Sequence, residues 1–216
     1  MKKKYFLNIN KNYIYIFFLF FTIRFIFYIL SPYDNFELLQ DSYWYSEQSD
    51  DVLNGNFNLL RPLFITAPFF SYFQALIKFF FNEYWHYVLT ILQILISSIS
   101  GIYFFKLVEL LFKNIYLAIF STILFCFYPL TMWLTFTFTQ DIWFQSFLII
   151  FIYFFNYYLI YKNKFSFFIS ALIFSITYLT KSHILLFSPF IVISIFLTNL
   201  NIKKKFISSA LFALIT

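Results

Sequence analysis

The residues with chemical potential cluster in one early stretch, DSYWYSEQSDDVLNGNF at 41–57, followed by RPLFITAPFFSYFQALIKFFF at 61–81. Read as a helix closing near Gly55, this stretch sets Asp41 and Tyr45 four residues apart, on one face. A carboxylate held at such a position can take a proton from an attacking hydroxyl, which is general-base chemistry. Further ionisable candidates are Arg61, Asp141 in FTQDIWF, and Lys181 and His183 in YLTKSH. His183 is a candidate for lining a site, against a plain interfacial role. Two histidines and a single cysteine, Cys126, offer no obvious metal-ligand cluster. With Gly55 and Gly101 as the only glycines, neither a Walker loop nor a G-x-G-x-x-G can be written.

What must position these residues is a membrane body. Of 216 residues, 62% are hydrophobic and 11% charged, and the mean hydropathy is +0.79. A water-soluble domain carries about 25% charge, so the solvent here is lipid. The abundance of phenylalanine is compositional bias rather than an aromatic cofactor box. Apolar runs fall at 13–30, 84–105, 115–130, 141–160, 165–180 and 184–198. A last run begins at Phe206 and is still apolar at Thr216, so the expectation is a single, truncated transmembrane domain over 1–216 with about seven spans.

Charge gives the orientation. With the N-terminus in the cytoplasm and 31–83 kept outside as one loop, the inner segments carry Lys2, Lys3, Lys4, Lys11, Lys106, Lys113, Lys162, Lys164, Lys203, Lys204 and Lys205. The outer segments carry only Arg61, Lys78 and Lys181, while eight of the nine acids, all but Glu109, are not inside. The net charge of +6 is therefore a membrane pattern and not a nucleic-acid footprint. The stretch 62–81 is apolar enough to cross, but crossing would turn every later lysine group outward. Pro62, Pro68, Gln74 and Lys78 suit a broken helix lying in the outer interface. Arg24, inside the first run, is costly there and calls for a polar cleft or a partner. A carboxylate just past the first span then sits at the level of lipid headgroups, where a lipid-linked substrate presents its reacting end.

The order of a cytoplasmic start, one span, an outer D-x-x-x-Y helix running into N-G-x-F, an R-P-L-x-x-x-x-P segment, paired spans and a later T-K-S resembles a known family. It is similar to the GT-C superfamily of membrane glycosyltransferases, in the branch of the protein O-mannosyltransferases and the lipid A aminoarabinose transferase. The resemblance runs over essentially the whole chain. It implies an all-α, GT-C-like polytopic helical bundle with a large first outer loop carrying short interfacial helices. It also implies inverting transfer of a sugar from a polyprenyl-phosphate donor to a glycan, lipid or protein acceptor at the outer face of the cell membrane.

Carried over by position, Asp41 matches the first-loop base, and Arg61 a basic residue before the proline-bearing segment. Lys181 matches a basic residue at the outer end of a later span, and Asp141 an acid at the start of the fourth. Arg61 or Lys181 would stabilise the leaving phosphate, and Tyr45 and His183 complete the substrate-binding candidates. Ser42 departs from the acidic pair common in the family. No D-x-D element is present, so neither a cofactor nor a divalent metal is called for by the sequence. The rival reading is a transporter or flippase subunit for lipid-linked glycans, which would spread ionisable residues through several spans near the midplane.

Overall fold

In a computed structural model the chain is described over residues 11–30, 40–57 and 68–197, and at Lys205, Ser209 and Phe212. Every element among these is helical. The helices are α1 (Lys11–Leu30), α2 (Gln40–Leu53), α3 (Pro68–Phe81), α4 (Trp85–Phe112), α5 (Ile115–Cys126), α6 (Pro129–Leu134), α7 (Asp141–Tyr161), α8 (Lys164–Thr180) and α9 (Ser188–Phe196). Short 3-10 segments cover Asn82–Tyr84 and Ser182–Phe187. Arg61, the proline-bearing start of its segment, the basic leader and Lys203 and Lys204 lie outside the described residues.

Lys11–Leu30, the run Pro68–Phe112 and Asp141–Tyr161 are long and apolar enough to cross a membrane, and three shorter apolar helices accompany them. The run Pro68–Phe112 is not straight. Asn82 takes a φ of 43°, and the 3-10 segment there separates α3 from α4. The chain is an integral membrane protein of all-α architecture.

Local chemistry explains the hairpins. α4 and α7 both end on a lysine in the left-handed conformation, Lys113 (φ 53°) and Lys162 (φ 57°). Each is followed by an asparagine that starts the next helix. Asn114 Oδ1 accepts from the backbone N–H groups of Tyr116 and Leu117 at 3.0 and 3.1 Å, and Asn163 Oδ1 accepts from that of Phe165 at 2.9 Å. The Lys-Asn dipeptide thus closes one helix and caps the next. The lysine adds a positive charge where the helix dipole is negative. Both turns lie at the same end of the bundle, opposite the start of α7.

The bundle is knit by close aromatic packing. α1 lies against α4, where Phe20 is fully buried and a Cβ on Gly101 would sit 2.8 Å from its ring. A side chain at this position would have to displace the Phe20 ring, so glycine suits the close approach of the two helices. α7 and α8 form the other half, around Phe151, Phe155, Tyr158, Phe167 and Phe174. Lys106 lies within α4, beyond the end of the 84–105 run, with its ammonium 4.4 Å from the Tyr13 ring and 5.1 Å from that of Tyr103.

Arg24 is completely buried. Its Nη1 donates to Cys126 Sγ at 3.8 Å, its guanidinium lies 4.6 Å from the Phe20 ring, and Nε and Nη2 have no partner among the described residues. A thiol and a ring face stand where a carboxylate would have been the simpler neighbour.

Candidate active site at the α2–α3–α7 end

α2 is an unusual helix for this protein because it is polar on both faces. It starts with Asp41 in its first turn, where the positive end of the helix dipole favours a carboxylate. It closes at Gly55, whose φ of 86° suits glycine. Asn54, Gly55 and Asn56 turn their N–H groups back onto Asp50, Val52 and Asp51 carbonyls at 3.0, 3.1 and 2.9 Å. The face against α3 buries Ser42, Tyr45, Gln48 and Ser49, while Asp41, Glu47 and Asp50 are open.

α2 and α3 are joined through polar side chains as much as apolar ones. Ser71 Oγ donates to Gln48 Oε1 at 2.7 Å, both buried. The Tyr45 ring meets Phe70 edge-on at 5.2 Å. The ammonium of Lys78 reaches across to α2 and donates to Asp50 Oδ1 at 2.7 Å, Ser46 Oγ at 2.9 Å and Ser46 O at 3.0 Å. Beyond α2, the Tyr72 hydroxyl donates to Phe57 O at 2.7 Å. α3 in turn rests on the start of α7, with Phe73 4.8 Å from the Trp143 ring and Phe69 against both Trp143 and Phe147.

This stacking sets Asp41, Tyr45, Asp141, Lys181 and His183 at one end of the bundle, while Arg61 lies outside the described residues. Asp141 opens α7, Lys181 follows the last residue of α8, and the two form an ion pair, each about one-third exposed. Antiparallel packing of α7 and α8 brings the start of one beside the finish of the other. Tyr45 of α2 packs in the same buried cluster as Ile142 and Trp143, the residues just after Asp141. Burial first, then the negative charges of Asp141 and Asp41, push its phenol well above the usual tyrosine range. Tyr45 therefore stays a neutral hydroxyl, within electrostatic reach of both carboxylates. Asp41 is exposed and has neither an ion pair nor a hydrogen bond among the described residues. His183 is also exposed, on the Ser182–Phe187 segment just after Lys181, and touches neither carboxylate.

Two features escaped the sequence. Tyr45 could be named as a substrate-binding candidate, but its burial could not be read: it is 6% exposed and packed inward. Lys78 suggested only an interfacial helix, but it is 9% exposed and committed to α2. The same end also carries buried polar atoms without partners among the described residues: both amide atoms of Gln74, Oε1 of Gln93 and Gln140, and Nε1 of Trp143. Their neighbourhood could be suspected from the glutamines that interrupt otherwise apolar runs.

A helical body embedded in lipid, with most of the described acidic side chains at one end and lysines at the other, has the form of a membrane enzyme working at the lipid boundary. The model of the dolichyl-phosphate-mannose-protein mannosyltransferase family matches residues 65–216, and the chain belongs to that family. It is a glycosyltransferase of the GT-C type. The match takes in Lys78, Asp141, Lys181 and His183 and begins after Asp41 and Tyr45. No curated protein and no solved structure matches the chain.

Proposed function

We propose that the protein moves a sugar from a polyprenyl-phosphate donor to an acceptor hydroxyl at the extracytoplasmic face of the cell membrane, with inversion and with Asp41 as general base. The acceptor is a glycan, lipid or protein. The observation that carries this reading is the stacking of α2 on α3 and of α3 on the start of α7, which sets the helix bearing Asp41 at the same end of the bundle as the Asp141–Lys181 pair. The lysine excess at the opposite end of the bundle supports the orientation.

In the reaction, the acceptor oxygen attacks the anomeric carbon from the side opposite the phosphate. The bond from that carbon to the phosphate oxygen breaks, and its electron pair leaves with the phosphate. Asp41 takes the hydroxyl proton. Lys181 keeps two N–H donors beyond its bond to Asp141 and offers them to the departing phosphate. Arg61 is the second candidate for that charge. Tyr45, held neutral, donates a hydrogen bond to substrate.

The test is a transfer assay with radiolabelled polyprenyl-phosphate mannose and membranes containing the full chain. Label should pass to a glycan, lipid or protein acceptor, and the new linkage should have the anomeric configuration opposite to the donor's. Retention of configuration would rule out the single displacement.

A further inference from the structure

The polar seam between α2 and α3 has one central member. Lys78 makes three bonds to α2, two of them to Ser46 and one to Asp50, which lie one turn apart on that helix. Its ammonium also stands 4.9 Å from the ring of Trp85, the first residue of α4. One buried side chain therefore ties the helix that carries Asp41 to the helix beneath it and to the start of α4. Beside it, α2 is joined to α3 by the Ser71–Gln48 bond and the Tyr45–Phe70 contact. Its sequence, QDSYWYSEQSDDVL, gives it few aliphatic side chains to bury against the bundle.

We propose that Lys78 is a positioning residue for catalysis: it latches α2 to the bundle so that Asp41 faces the Asp141–Lys181 end at reacting distance. This rests on Asp41 being the base. The three N–H donors of Lys78 are spent on Ser46 and Asp50, which leaves none for a substrate. Displacement of a catalytic group by an ångström can cost about a hundredfold in rate, so the latch matters to kcat more than to the fold.

The experiment compares Lys78→Met, Lys78→Arg and Asp50→Asn in the full chain, using radiolabelled polyprenyl-phosphate mannose for kinetics and hydrogen exchange for the fold. Lys78→Met keeps the aliphatic stem and removes all three bonds. Its kcat should fall by roughly tenfold to a hundredfold, with the donor KM little changed. Amides of α2 should lose protection while those of α4 and α7 keep theirs. Asp50→Asn leaves both Ser46 contacts and should lose less, and Lys78→Arg should recover part of the rate. Full activity in Lys78→Met, or a general loss of protection reaching α4 and α7, overturns the latch. Asp41→Asn, run alongside, separates the two ideas. If Asp41→Asn is as active as wild type, the base assignment has failed; if it is inactive while Lys78→Met is unimpaired, only the latch has failed.

Discussion

Asp41→Asn is expected to lower kcat by about 10²–10⁴-fold while leaving donor KM and the thermal stability of the bundle close to wild type. The substitution is isosteric and removes the negative charge and with it the proton-accepting capacity. Asp41 is exposed at the first turn of α2, so no buried partner is stranded by the change. The loss of its charge from the helix start costs α2 about 0.3–1 kcal/mol, too little to undock it. A single-turnover assay with radiolabelled donor separates chemistry from product release. If Asp41→Asn turns over at the wild-type rate, some other group is the base. Asp41→Glu should be intermediate, because the carboxylate survives but moves by about one methylene.

Lys181→Met is expected to lower kcat by about 10²–10³-fold, the usual loss when one preorganised donor to a developing oxyanion is removed. The lysine is only partly buried and already neutralises Asp141, so its structural loss is screened by solvent and small. The catalytic loss depends on how much charge builds on the departing phosphate. With a lipid pyrophosphate donor, a better leaving group, the penalty of Lys181→Met should shrink. An equal penalty with both donors would place Lys181 in the Asp141 ion pair alone and leave the leaving group to another residue.

Both expectations were partly legible in the sequence, and the reasons differ by residue. The α2 helix could be read locally, because Asp41 at its start and Gly55 past its end are signals that act within a few residues. The two Lys-Asn turns likewise follow from backbone preferences at 113–114 and 162–163. Candidates Asp41, Tyr45, Asp141 and Lys181 could be named but not joined. The distance from Asp141 to Lys181 along the chain is set by two helices of nearly matching length, and only their packing makes the pair. Lys78 was illegible for the same reason. Nothing near it in the sequence announces Ser46 or Asp50, more than two dozen residues earlier, and an isolated lysine in an aromatic helix looks like a snorkelling side chain. Arg24 announced a need but not its answer, since no rule of spacing points from it to Cys126.

Which side of the membrane α2 occupies decides whether a lipid-linked donor, an acceptor and Asp41 can meet. The most direct measurement is labelling of Asn54→Cys, at an exposed position just past α2, with a membrane-impermeant maleimide on intact cells. The native Cys126 is buried and does not compete. Modification without permeabilisation is the predicted result. Modification only after the membrane is opened to the reagent would put α2 on the cytosolic side and contradict outer-face transfer by this site.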